Sequence, residues 1–422
     1  MKTRTILLIT LLLLSTLAVY ATSSPKPIAS GQVCTTFPDC WNYRKKITIK
    51  NNVDKDLTDY QINITVHYGS GTDTNYDIYL NSHSQTDFDD IRFALPNGTL
   101  LSYWNETLYP GDNATFWVKV PNIPALGTTD IYIYYGNPDA GYAGSGDDTF
   151  LFFDDFSEDL SKWTIISGTW EIINGELRCT VDSDYSYIRA NYFITDAAIH
   201  VKIRVGTAGY YDNGGIIARY MDTKNYYAAI FYPDYSGHQH RLIKYTAGDF
   251  AELAHTSAPD DTNWHKLVFV LYGTSLGSWL DGNYEISATD NDHSSGYVGL
   301  RAFDTNHHFY FDDFFVRKYV SPEPTISAVG SEENRKDVTI TLTPYNIALS
   351  SNDYFIAKYA NDTGISIQHL TNGTNTLNIW SDFVNITLIS YLSNSTARYL
   401  LDAPTNGTAD FEGTIYPYTS LD

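Results

Sequence analysis

The sequence predicts an all-β chain of tandem β-sandwich modules, and three observations predict it. The 422 residues include 35 Tyr and 20 Phe among many Thr, Ile and Val, the residue types that suit a pleated, half-buried surface. Apolar and polar residues alternate over short runs, and long windows with helical period are missing. Turn pairs such as Asn-Gly, Asp-Gly and Pro-Gly punctuate these runs. A hydrophobic content of 43% is enough to bury several cores, and the length implies two to four domains at roughly 100–200 residues each.

Residues 1–21 read as a signal peptide. Lys2 and Arg4 precede the apolar run Ile6–Tyr20, with Val19 and Ala21 at the cleavage position. The run is shorter than the ~20 residues that cross a bilayer comfortably, and no later segment is apolar enough to span one. The chain is therefore expected to be secreted or held at the cell surface. Residues 22–40 form a linker rich in Ser, Pro and Ala. Cys34 and Cys40 flank a short loop with Pro38, a spacing that can close a small disulfide in an oxidising compartment. Cys179, in the strand-like Leu177–Val181, is expected to be a buried free thiol.

A first module covers 41–148, with alternating runs at Lys46–Ile49, Gln61–Val66, Thr115–Val120 and Asp130–Tyr135 and a glycine-rich closing loop, Ala140–Asp148. A second covers 150–319. Its first hairpin turns at Asn174-Gly175, which sets Ile173 against Glu176, Ile172 against Leu177 and Glu171 against Arg178. Further strands are expected at Ile199–Val205, Gly215–Tyr220, Tyr226–Tyr232, Arg241–Tyr245, His265–Tyr272, Ser278–Leu280, Tyr297–Ala302 and Phe309–Val316, a sandwich or jelly roll. Ser321-Pro322-Glu323-Pro324 marks a stiff linker over 320–336, and 337–422 reads as a smaller third β module.

Acidic residues number 49 against 27 Lys plus Arg, a formal charge of −22. A polyanion is repelled by phosphate backbones, and no basic patch offsets this, so nucleic acid is excluded as a partner.

Two modules resemble known families. Trp41–Ile49, Asp90–Phe93, Phe116–Pro121 and Ile133–Asn137 resemble the domain-of-unknown-function family 2341, found in exported archaeal and bacterial proteins and without an established activity. The second module is similar to the concanavalin A-like lectin/glucanase superfamily in its laminin-G-like branch. The residues that carry this are Phe153-Asp154-Asp155-Phe156, Gly168-Thr169-Trp170, Asn263-Trp264-His265, Asp281-Gly282, Gly296–Leu300 and Phe311-Asp312-Asp313-Phe314. That resemblance implies a jelly roll whose function ranges from sugar binding to adhesion to hydrolysis.

Hydrolysis requires two cooperating carboxylates about 5–9 Å apart. The resemblance implies a Glu-x-Asp-x-x-Glu strand for the glucanase branch, and no such run exists here. Glu171 is set opposite Arg178 as a cross-strand ion pair. Gly273-Thr274-Ser275-Leu276-Gly277 has the letters of a nucleophile elbow, but strands are expected on both sides and no helix follows. The chain is thus expected to catalyse nothing.

The two Phe-Asp-Asp-Phe segments lie on the first and last strands of the module, which often pair. Asp154, Asp155, Asp312 and Asp313 would then crowd together, and hard oxygen donors suit a structural Ca²⁺. The plainer alternative sends one Asp of each pair to solvent and the other to backbone donors. Asp290 and Asp292 read as an ordinary hairpin loop, and His307-His308 as a polar loop end.

Sugar rings stack on Tyr or Trp while their hydroxyls need polar partners. Such side chains gather between Tyr210 and Tyr245, and Tyr211, Arg219, Tyr227, Tyr232 and His240 are the candidate ligand contacts. Alternation puts Tyr226 and Tyr232 on one face and Tyr227 on the other, so one set must be core. Glycosylation sequons begin at Asn63, Asn97, Asn105 and Asn113 in the first module and at Asn361, Asn372, Asn385, Asn394 and Asn406 in the third, with none in the second. The outer modules are expected to be shielded and the middle one bare. The expected function is non-catalytic glycan binding or adhesion at the cell surface. A purely structural envelope component and a glycoside hydrolase are the alternatives.

Overall fold

Asn174 (φ 56°) and Gly175 (φ 80°) are both left-handed, the geometry of the tight hairpin turn that matches strand twist. Thr169–Ile173 and Glu176–Thr180 therefore pair with Glu171 opposite Arg178, the register the sequence predicts, and Arg178 Nε donates to Glu171 at 3.1 Å. The computed structural model describes residues 37, 38, 40–180, 185–206, 213–233, 239–303 and 308–335, with only the backbone of Tyr284. Beyond these it describes strand backbone alone, at Leu17–Tyr20 and within 336–415.

The first module is a sandwich of two sheets. One runs Thr325–Val329, Tyr43–Lys50, Thr128–Tyr135, Arg92–Ala94; the other runs Asp77–Tyr79, Leu57–His67, Asn113–Ile123, Tyr103–Tyr109. Inward residues at alternate positions, among them Ile47, Ile49, Ile62, Ile64, Phe116 and Ile131, fill the space between them.

Residues 320–336 are not the linker expected. After Pro322 and Pro324 the chain pairs Thr325–Val329 with Tyr43–Lys50, and Val320 and Ile326 enter the first module's core. Without this strand Tyr43–Lys50 would be an open sheet edge, which proteins cover. The second module is thus inserted into the first and tethered at both ends.

That second module packs two larger sheets. The front sheet has seven strands in the order Trp163–Ser167, Tyr185–Ile194, Gly296–Phe303, Asn213–Asp222, Asn225–Tyr232, Gln239–Thr246, Asp249–Ser257. The back sheet orders Thr169–Ile173, Glu176–Thr180, His308–Arg317, Ala197–Val205, His265–Tyr272, Ser275–Leu280, Tyr284–Thr289, with Phe152–Asp154 beside His308–Arg317. Ile199, Val201, Ile203 and Phe311 from the back meet Ile188, Ile216, Phe231 and Leu300 from the front. The same alternation turns His200, Lys202 and Arg204 out of the sandwich.

The third module shows strand backbone in two sheets, one of Tyr354–Asn361, Gly364–Leu370 and Phe383–Tyr391, the other of Lys336–Pro344, Gly373–Ile379, Tyr399–Asp402 and Gly413–Ile415. Leu17–Tyr20, inside the expected signal peptide, pairs with Phe383–Tyr391. Among the described residues no helix is long and apolar enough to cross a membrane.

Candidate functional site

Period-two alternation turns Tyr185 and Tyr187 toward the outer face of the front sheet, where Tyr187 is buried and Tyr185 half-buried, while Ile188 and Ala190 enter the core. The neighbouring strand places Arg301 opposite Tyr187 on one side and Gly215 on the other. Arg301 is only 1% exposed. Its Nη2 donates to Asn213 Oδ1 at 3.1 Å, its Nη1 lies 3.5 Å from the Tyr226 hydroxyl, and its guanidinium carbon sits 4.4 Å from the centre of the Tyr185 ring. Tyr187 and Tyr226 share a hydrogen bond of 3.0 Å between their hydroxyls, and Tyr226 stacks on Tyr245 at 5.1 Å. Burial pushes the Tyr187 and Tyr226 hydroxyls above the ordinary phenol range.

Arg301 Nε is buried without a hydrogen-bond partner, and among the described residues no carboxylate pairs with this guanidinium. A buried charge without an opposite charge costs several kcal/mol. Gly215, between Arg301 and Ile230, keeps the floor low; a Cβ there would run into the Ala229 carbonyl. Half-buried Tyr185, Tyr232, Tyr245 and Tyr297 form the rim around this floor, with Arg241 packed 4.9 Å over the Tyr232 ring.

The sequence-predicted contacts divide on this geometry. Tyr232 belongs to the rim. Tyr211 lies outside the described residues. Tyr227 faces the core, where its hydroxyl donates to Asp290 Oδ1 at 2.5 Å and accepts from the His293 backbone, so it is packing and not a ligand contact. Arg219 is a buried strut: it donates to the carbonyls of Thr195, His293 and Gly273 and pairs with Asp196. His240 is buried between the sheets, its Nε2 2.8 Å from Ser278 Oγ. For Tyr227 and His240 alternation sets the inward face, which is already full, whereas Arg219 turns inward at a bulge where its own φ is 47°. Arg301, Asn213, Tyr185 and Tyr187 were missed. A charged residue at the end of the apolar run Tyr297–Leu300 was the available signal.

The Phe-Asp-Asp-Phe segments do come together, Asp154 lying opposite Phe314. Their carboxylates do not converge. Asp154 accepts from Trp163 Nε1 at 2.7 Å and from the Phe156 backbone, Asp155 accepts from Ser157, Asp313 pairs with Lys202 at 2.5 Å, and Asp312 accepts from the Asp313 backbone. Each acid has its own donors, Asp313 a lysine where the plainer expectation had solvent or backbone. Among the described residues no three His, Cys, Asp or Glu side chains are grouped to hold a metal. Burial and the Asp313 charge push the Asp312 carboxyl up to about 7. Asp290 and Asp292 both bind Lys244, and Gly273-Thr274 is a tight turn between two strands.

Cys40 is disulfide-bonded and Cys179 is free and buried; Cys34 lies outside the described residues. Asn63 and Asn97 are exposed and Asn105 and Asn113 partly so. The side chains of Asn361, Asn372, Asn385, Asn394 and Asn406 lie outside the described residues.

The outer face of the back sheet is covered by the first module. Trp104 and Trp117 pack edge-on against Phe315 at 5.6 and 6.0 Å, Arg317 lies 4.7 Å over Trp117, and Lys266 pairs with Glu106 at 2.5 Å. A groove of about 450 Å³ remains along this junction, lined by Asn63, Trp117, His200, Lys266, Trp279 and Tyr319 among others.

Residues 87–166 match a family model described as a domain of unknown function, DUF2341, and residues 151–317 match one described as a 3-keto-alpha-glucoside-1,2-lyase-like domain. No curated protein matches the sequence. Among solved structures, the chain is similar to a carbohydrate-binding module, CBM66, from Bacillus subtilis (23% identity, covering 39% of this chain and 99% of that one, TM-score 0.35). It is also similar to a Bacillus licheniformis β-glucanase (13% identity, 40% and 98% covered, TM-score 0.34) and to the Emp47p carbohydrate recognition domain (11% identity, 40% and 94% covered, TM-score 0.33). Residues 87–166 and 151–317 thus match a DUF2341 domain followed by a 3-keto-alpha-glucoside-1,2-lyase-like domain, and the β-sandwiches of this all-β chain resemble concanavalin A-like domains.

Proposed function

We propose that this is an exported, cell-surface protein that binds a glycan on the front sheet of its middle module and does not cleave it. The observation that carries the reading is Arg301, a buried guanidinium with an unpaired Nε and no acid partner, set in a hydrogen-bonded tyrosine cluster. Aromatic rims stack on the C–H faces of sugars, and a fixed guanidinium donates to hydroxyl or carboxylate oxygens. The carbohydrate-binding module in the comparisons points to the same ligand class.

A second reading is enzymatic, favoured by the match of 151–317 to a family whose description names a lyase. Elimination needs a base and hydrolysis two carboxylates. Against this, burial holds the Tyr187 and Tyr226 phenols protonated, and no carboxylate hydrogen-bonds within the cluster among the described residues.

The full chain applied to a glycan array tests the first reading, with Arg301→Met and Tyr232→Ala beside the wild type. Retention by a defined glycan set, lost in both variants, is the expected result. Release of reducing ends or of an unsaturated sugar from any retained glycan would establish the second reading instead.

A further inference from the structure

Asn63 lies on Leu57–His67 opposite Trp117, on the wall of the groove between the first and second modules. It is exposed, its carboxamide makes no hydrogen bond among the described residues, and it opens the sequon Asn63-Ile64-Thr65. Across the groove stands Trp279. Two residues earlier on the same strand face is Gly277, where an added Cβ would sit 2.9 Å from Cη2 and 3.2 Å from Cζ3 of that indole. The ring therefore lies flat on the sheet, and glycine is what lets it lie there. Among the described residues no ring, cation or hydrogen-bond partner touches it, so one aromatic face and the indole N–H are open to the groove.

His200 supplies the second feature. Its Nε2 accepts from Arg317 Nε at 3.0 Å, which puts the ring proton on Nδ1; Nδ1 is buried without any partner, in a side chain that lines the groove. Burial and the Arg317 charge keep the ring neutral. An unmet buried N–H is costly unless something accepts from it. A flat indole with an orphaned N–H nearby is the chemistry of a saccharide subsite, and about 450 Å³ falls within the roughly 300–1,000 Å³ of ligand pockets.

We propose that a glycan attached to Asn63 fills this groove, stacks on Trp279, accepts from His200 Nδ1–H and so ties the first module to the second. The attachment point stands on the wall itself, so the covalently held sugar is the occupant the geometry favours over a free one. Asn97, at an exposed turn beside Gly98, has no such groove and serves as the internal control. The proposal rests on export to a glycosylating compartment, which is part of the functional reading above.

The test uses the full chain purified from its native host. Glycopeptide mass spectrometry gives occupancy at each sequon, and a peptide N-glycosidase is then applied to the folded protein. The Asn97 glycan should be released at least about tenfold faster than the Asn63 glycan, the factor that ~1.4 kcal/mol of docking supplies. Trp279→Ala should bring the two rates together without changing occupancy, while Trp279→Phe keeps a flat ring and most of the protection. Equal release rates in the wild type, or an unmodified Asn63 beside a modified Asn97, would overturn the docked glycan and leave the export reading standing. If no sequon anywhere carried sugar, both would fall.

Discussion

The two outward faces of the middle sandwich have similar ingredients and opposite electrostatic design. Each has tyrosines or tryptophans, and each has an arginine buried to 5% exposure or less, Arg301 at the front and Arg317 at the back. At the back every principal cation has an acid: Lys202 with Asp313, Lys266 with Glu106, Arg317 with Glu323. The first module covers that face, and the pairs are closed within the chain. At the front Arg301 is held by phenols and one amide only. A face whose charges are all matched serves packing. On the proposed reading, the face with an unmatched buried cation is the one that meets a ligand from outside.

The largest effect should come from opening the back face. Trp117→Ala removes the ring against which Phe315, His200 and Arg317 pack, and a buried Trp→Ala change costs ~3–5 kcal/mol. Denaturant unfolding should show that loss, with the two modules melting in separate steps. The rim change Tyr232→Ala should cost less, about 1 kcal/mol, since the side chain is only partly buried.

Replacing the two arginines by methionine sharpens the contrast, because the signs differ. Arg317→Met strands Glu323, which also accepts from Tyr60, and should destabilise by ~2 kcal/mol. That is less than the ~3–5 of a fully buried pair because Glu323 is about a third exposed. Arg301→Met strands no carboxylate. It should leave thermal stability unchanged or higher, while glycan retention falls by about a hundredfold, the equivalent of ~2.7 kcal/mol. Destabilisation of both variants alike would erase the distinction between the faces.

Much of this architecture was legible before the coordinates. The hairpin register at Asn174-Gly175 was, because a two-residue turn with two left-handed residues fixes pairing locally. The edge strand Asp249–Ser257 was not, since an edge need not bury an alternating apolar set and its sequence shows no clean period; Tyr284–Thr289 does alternate, with Ile286 and Ala288 on the core, and that signal was available. The insertion of one module in the other was hidden for a different reason. Nothing local in Thr325–Val329 says that its partner is Tyr43–Lys50, almost the full length of two modules away. The candidate site failed in a similar way. Tyr227 and His240 have the chemistry of ligand contacts, and only the packing of the opposite sheet shows that their face is filled. Arg301 lies outside the tyrosine-rich segment, on Gly296–Phe303, and nothing local in the sequence says that this strand pairs between Tyr185–Ile194 and Asn213–Asp222.

A smaller effect separates the acids of the back face from one another. Asp312 has its carboxyl raised to about 7 by burial and by Asp313, against an ordinary value of 3.8. The folded state therefore binds this proton more tightly than the unfolded chain, so the stabilisation it provides is complete below about pH 4 and is lost as pH rises through 7. Asp312→Asn keeps an acceptor for the Asp313 backbone and removes the charge. Its Tm should exceed the wild type's by about 2 °C at pH 8 and equal it at pH 4, the modest size reflecting a half-buried group that water partly screens.

The smallest expected change lies where the back face runs out from under the first module. Glu171 and Arg178 face one another across the Asn174-Gly175 hairpin, with side chains 43% and 26% exposed, so water competes for both. A cross-strand pair in that setting contributes ~0.2–1 kcal/mol. A double-mutant cycle with Glu171→Gln and Arg178→Met should return a coupling in that range, shrinking further in 1 M salt as screening sets in. The same cycle on Lys266 and Glu106, where the carboxylate side chain is only 5% exposed, should return a larger coupling that salt barely moves. Equal couplings would mean that cover by the first module adds nothing to the charge pairs beneath it, and the physical contrast between the two faces would have to rest on Arg301 alone.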